Sequence, residues 1–193
     1  MADPGPIMSN LMSEPVIESV FCLDAVIVTI DAMYGEQQLL EHEEARKQAA
    51  VADVLLLTKT DITAPEKTSA LKEKLIQLNP GASQHKVLHG EIKPRFIVDV
   101  GLFGPSGKRA EPERWLRAPQ KPVSNLGWEL STPHQDEINS FTVTLPTGIE
   151  WKTFKPVLLK LCQTHGKQLL RLKGILHADD QPHPLAIHAV HFT

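Results

Sequence analysis

The stretch Ala52-Asp53-Val54-Leu55-Leu56-Leu57-Thr58-Lys59-Thr60-Asp61 decides how the chain is to be read. An uninterrupted aliphatic run from Val54 to Leu57 reads as a strand buried on both faces, the pattern of a parallel sheet covered by helices. The strand closes on the polar turn Thr58-Lys59-Thr60-Asp61, placed just beyond its carboxyl end, where open α/β sheets bind ligands. An ionised Asp offers acceptors and no donor. It therefore matches the N1–H and N2 amino groups of guanine and mismatches adenine, whose N1 is itself an acceptor. Asp61 is the candidate guanine selector. Lys59 would lay its alkyl stem along one face of the base and keep its ammonium near the ribose or the loop backbone, while Thr58 would shape the opposite wall.

Working outward, the segment before this strand contains Ala25-Val26-Ile27-Val28-Thr29-Ile30, a second apolar run that reads as a buried strand ending at Asp31. Between the two, residues 37–51 read as one polar amphipathic helix. Beyond the turn, Pro65 and the spacing of Leu71, Leu75 and Leu78 predict a helix over 66–78, stopped by Asn79-Pro80-Gly81. Residues 84–88 complete a strand, helix, strand, helix, strand order, so the fold class is α/β with a parallel sheet and right-handed crossovers. Pro4-Gly5-Pro6 opens a short helix through Met12.

From Gly101 the composition changes to a Pro- and Gly-punctuated segment with little apolar periodicity, ending near Pro133. We divide the chain into a first domain over 1–103, a linker over 104–133 and a small α/β domain over 134–193. In the latter, 138–145 alternates as a half-buried strand, 151–162 is helical, and 167–176 and 185–192 are strands.

Twenty basic against twenty-three acidic residues, a net charge of −3, leave no basic stripe for nucleic acid, and no apolar stretch is long enough to span a bilayer. A cytoplasmic protein is expected. Cys22 and Cys162 stand far apart without a C-x-x-C partner and read as small hydrophobes.

Several segments together resemble the CobW-like family of metallochaperone GTPases. Ala2-Asp3-Pro4-Gly5-Pro6, the Asp31-Ala32 strand end and Leu78-Asn79-Pro80-Gly81-Ala82 match its order. Residues Gln48 to Asp61 are similar to its Q-x-x-x-A-D-x-x-x-x-N-K-T-D run, with Thr58 where Asn is usual. In the second domain His134 to Ser140 resembles an H-x-x-x-I-x-S stretch, and Arg171-Leu172-Lys173-Gly174 its R-x-K-G strand. The resemblance implies a partial P-loop GTPase-type domain followed by a small α/β C-terminal domain. It implies GTP and Mg²⁺ as cofactors, zinc as the handled metal and a metal-requiring client protein as partner. It also offers Asn79 as a base or loop contact.

The family's phosphate loop, G-x-x-x-x-G-K followed by Ser or Thr, and its Cys-x-Cys-Cys motif have no counterpart in this sequence. Gly107-Lys108 is a decoy, with Leu102 where the first glycine belongs and Arg109 after the lysine. Without that loop, no nest of N–H groups and no lysine holds the phosphates, and no hydroxyl holds Mg²⁺. The expectation is that this chain alone is inactive. The frame is expected to extend upstream of Met1 and beyond Thr193, and an apolar edge left on the first sheet would favour self-association. The alternative is a non-enzymatic interaction module of the same descent. Among nine histidines, His188 and His191 are the weak candidates for metal; three apart on a strand, they face opposite sides. No catalytic residue is assigned.

Overall fold

The computed structural model describes residues 2–101 and 138–190. The chain opens with α1 (Pro4–Ser13), whose cap Asp3 accepts the Gly5 N–H at 2.8 Å with Pro at the first helical position, followed by the single turn α2 (Pro15–Glu18). Next come β1 (Ile27–Asp31), α3 (Gly35–Glu41), α4 (Glu43–Val51), β2 (Val54–Thr58), α5 (Pro65–Leu78) and β3 (Ser83–Lys86). The three strands form one parallel sheet in the order β1-β2-β3, with Ile27 beside Val54, Asp31 beside Thr58 and Val54 beside Ser83.

The central position of β2 follows from its side chains. Leu55 and Leu57 point into a core with Ile30, Leu39, Ala49, Leu71 and Leu75 from β1 and the helices. Val54 and Leu56 face the other way, against Val87, Ile92, Ile97 and Val100. Burying each such side chain contributes about 1.5–3 kcal/mol, so a strand sunk on both faces is the firmest element of the sheet. The first unit closes where the Asp24 carboxylate accepts the N–H of Val100 (3.3 Å) and of Gly101 (2.7 Å). Only glycine serves at 101, because a Cβ there would lie 2.4 Å from the Asp24 carbonyl oxygen.

The second unit comprises α6 (Trp151–His165) and an antiparallel hairpin of β4 (Arg171–Leu176) and β5 (Leu185–Val190), with Arg171 opposite Val190 and Leu176 opposite Leu185. The start of α6 is capped from a distance: Asp180, in the β4–β5 connection, accepts the N–H of Trp151 at 2.6 Å and of Lys152 at 3.3 Å. The two units touch through an apolar patch in which Leu170 packs with Met8, Val51, Met12, Leu23 and Val26.

The structure bears out the α/β class and the parallel order, and corrects details. The single helix expected over 37–51 is broken at His42 (φ −121°, ψ 117°). Arg46 causes the break to hold, since its Nη1 donates to the carbonyls of Leu39 (3.0 Å) and Leu40 (3.1 Å) at the end of α3. The strand expected over 138–145 is absent; this segment has no ladder partner among the described residues, and Phe141 and Val143 are exposed. Alternation specifies a strand only when a neighbour completes its hydrogen bonds. The strand expected from Lys167 begins at Arg171, because the N–H groups of Gln168 and Leu169 turn back to the His165 carbonyl. The linker over 104–133 lies outside the described residues.

Asn79 has a structural role in the described fold. Its Nδ2 donates to the carbonyls of Ala49 (2.8 Å), Ala50 (2.9 Å) and Ala52 (2.9 Å), binding the end of α5 to the end of α4. Asn79→Ala would strand these partly buried carbonyls. It is expected to destabilise the chain by about 1–3 kcal/mol, read as a lower urea midpoint, without changing nucleotide preference. A shift in preference at unchanged stability would show Asn79 to be a base or loop contact instead.

Candidate functional site

Beyond β2 the chain turns sharply. Lys59 adopts φ 57°, in the left-handed region that non-glycine residues seldom enter, and the Thr63 hydroxyl fixes the turn by donating to the Lys59 carbonyl at 2.7 Å. The neighbouring strand supplies the counter-charge. Asp31, paired in register with Thr58, holds the Lys59 ammonium at 2.6 Å and accepts the Met33 N–H at 2.8 Å. Burial works against the Asp31 charge, but Lys59 and the backbone donors outweigh it and hold its carboxyl below the ordinary value. The same hydrogen bond and charge from Asp31 push the Lys59 ammonium upward. Asp61 is exposed and, among the described residues, its carboxylate engages no other group.

Lys59 and Asp61 border a cleft of about 540 Å³, within the range of small-molecule sites. Leu56, Val87 and Ile92 give it apolar lining, and Thr58, Lys59 and Asp61 give it polar lining. His89 and Gly90 form a further part of the wall. This wall was missed in the sequence. His89 (φ 50°) and Gly90 (φ 80°) are both left-handed, and the Glu91 N–H closes back on the Leu88 carbonyl at 2.8 Å, the form of a tight type I′ turn. The His-Gly pair following β3 is the signal that could have revealed it.

Aliphatic side chains, a lysine stem and an exposed carboxylate around one cleft are groups of the kind that would contact a planar base with a donor edge. Phosphates do not fit in the same way, because the described residues around the cleft include no glycine-rich N–H nest. The described residues likewise hold no cluster of three or more His, Cys, Asp or Glu side chains able to grip a metal. His188 lies half-buried on β5, facing Lys173 across the hairpin. Burial, then the Arg171 and Lys173 cations, push its imidazole down to about 4, a poor setting for a further cation. His191 lies outside the described residues.

Comparison with known proteins places these features in context. Residues 1–86 match the family model for the CobW/HypB/UreG nucleotide-binding domain. Residues 138–193 match that for the C-terminal domain of the cobalamin synthesis protein cobW. The zinc chaperone YjiA of Escherichia coli is 31% identical over 191 residues, covering 98% of this chain and 55% of that protein. The zinc-regulated GTPase metalloprotein activator 1 of Schizosaccharomyces pombe is 23% identical over 144 residues, covering 74% of this chain and 31% of its own length. In structure, the Zn(II)-bound YjiA GTPase superposes with a TM-score of 0.72 at 30% identity, over 100% of this chain and 56% of the other. The chain thus spans about half the length of YjiA.

Two outcomes follow from the charges. Asp31→Asn should let the Lys59 pKa fall back toward the ordinary lysine value, read by NMR of ¹³C-labelled lysine side chains; an unchanged titration would show that the ion pair is not formed in solution. For His188, the folded value lies below the unfolded one, so the unfolded chain binds more protons between about pH 4 and 6.5. Stability should therefore rise with pH across that window and level off above it, by roughly 3 kcal/mol at most. In His188→Gln, thermal melting should show a shallower rise over the same window.

Proposed function

This chain belongs to the CobW family of metallochaperone GTPases, and from that premise we propose that it carries the guanine-reading part of a cytoplasmic, GTP-dependent zinc chaperone. One observation carries the reading: the Asp61 carboxylate, unengaged among the described residues, lines a cleft together with aliphatic side chains, Lys59 and the His89–Gly90 turn. Thr58 and Lys59 would hold the base, and Asp61 would select it. GTP would supply the switch between two states, and zinc would be cargo passed to a metal-requiring client protein. The relatives' names, a zinc chaperone and a zinc-regulated GTPase metalloprotein activator, support that cargo and that kind of partner.

Residues 1–193 contain no phosphate-loop sequence, so the phosphate and Mg²⁺ contacts have no source among them. We infer that this polypeptide alone reads the base without holding the nucleotide firmly. Hydrolysis is not expected of it. A base held by one carboxylate and a lysine stem corresponds to a dissociation constant of about 1 mM, or about −4 kcal/mol.

Titration of the 193-residue chain with fluorescent GTP and ATP tests this reading. GTP should bind weakly and in preference to ATP, with no measurable turnover. Asp61→Asn should lower GTP affinity about tenfold or more and favour xanthosine triphosphate, whose 2-carbonyl accepts from the new amide where guanine offers a donor. Equal affinity for GTP and ATP, unaltered by Asp61→Asn, would discard guanine recognition in favour of a non-enzymatic interaction module.

A further inference from the structure

The residue that opens the guanine-reading strand, Asp53, is engaged with the second unit. Its side chain is only 8% exposed, and Arg171 Nη2 donates to both carboxylate oxygens, at 2.8 and 2.7 Å, in a charge-assisted pair. The Lys173 ammonium pairs with Oδ1, and the Val26 N–H donates to Oδ2 at 2.8 Å. A further donor of Arg171, Nη1, reaches the Val51 carbonyl at the end of α4. Burial opposes the Asp53 charge, but Arg171, Lys173 and the Val26 N–H outweigh it and hold the carboxyl below its ordinary value.

We propose that Asp53, Arg171 and Lys173 form an interunit latch that docks the β4–β5 hairpin onto the entry end of the three-stranded sheet, at the end of β2 away from the guanine cleft. Both cations belong to the R-x-K-G stretch and lie on one face of β4, as residues two apart on a strand must. They are 11% and 17% exposed. Their charges are therefore spent on docking within the chain, and they are not a free basic surface for a client or a phosphate. Around them the apolar contact is modest, with Leu170 packing on the small cluster of Met8 and Val51. The charged groups consequently decide whether the hairpin is seated.

The groups facing Asp53 are Arg171 and Lys173 from β4, His188 from β5, and the Val26 N–H from the first unit, while the Val51 carbonyl faces Arg171. The inference is independent of whether guanine binds. It requires that loss of the latch loosen the hairpin while the parallel sheet stays formed, because β2 is sunk in apolar contacts on both faces.

Hydrogen exchange on the full 193-residue chain tests it. In Arg171→Gln/Lys173→Gln, which keeps the Asp53–Val26 bond, amides of β4 and β5 should exchange at least tenfold faster while those of β2 and β3 keep their protection. Asp53→Asn should give the same pattern. The triple variant Asp53→Asn/Arg171→Gln/Lys173→Gln, which leaves no charge unbalanced, should still exchange faster at β4 than the unaltered chain. Wild-type exchange at β4 in the double and triple variants would overturn the latch. So would an equal loss of protection in both units of the double variant, which would make these residues part of one common core. If Asp53→Asn alone unfolds the chain, the double variant still decides between these outcomes.

Discussion

A buried carboxylate tolerates its position only when its charge is fully compensated, and Asp53 is compensated from three directions at once. Its main chain adds to this. The Asp53 N–H donates to the Val26 carbonyl at 2.7 Å, and its carbonyl accepts the Ser83 N–H at 3.0 Å. One residue thus joins the entrances of β1, β2 and β3 and receives the two cations of β4. Removing the acid would leave two half-buried cations facing each other. Removing the cations would leave a buried anion. Each half of the arrangement makes the other necessary, which is why a weakly apolar contact between two units can still be specific.

The parts of this molecule that were legible in its sequence are those decided by local patterning. The aliphatic run of β2, the leucine spacing of α5 and the Lys-x-Asp turn needed no knowledge of distant residues. Illegible features depended on partners far along the chain. Arg46 decides that α3 and α4 are two helices, Asp180 caps α6 from the hairpin, and Asn79 reaches the carbonyls of Ala49, Ala50 and Ala52. Asp53 could be read as a family position, but its pairing with Arg171 could not, since nothing local distinguishes a buried Asp from a turn Asp. In the site, Lys59 and Asp61 were visible from chemistry. The His89–Gly90 wall was visible only as a glycine after a strand, a weak signal until its two positive φ angles are seen.

β1 poses a different physical question. Its residues, Ile27-Val28-Thr29-Ile30, have the composition of a central strand, yet among the described residues it pairs only with β2. Edge strands are ordinarily blunted by charge, proline or bulges, and β1 carries none of these before Asp31. Ile27 is 38% exposed in consequence.

The two ends of β2 separate selectivity from affinity. At the carboxyl end, the proposed role of Asp61 would distinguish guanine from adenine by hydrogen-bond polarity alone, a contrast that would survive even when binding is weak. Affinity for a nucleotide comes mostly from its phosphates, whose charges need many converging N–H donors. The strand presents Lys59 in a left-handed conformation held by Asp31 and Thr63, so the proposed discriminating geometry would stand ready before any phosphate contact is made. Because that geometry is built from β1, β2 and the turn after β3, the proposed base recognition would need only the parallel sheet to be intact. The seating of the second unit at the far end is a separate equilibrium, governed by charge and not by the ligand's ring.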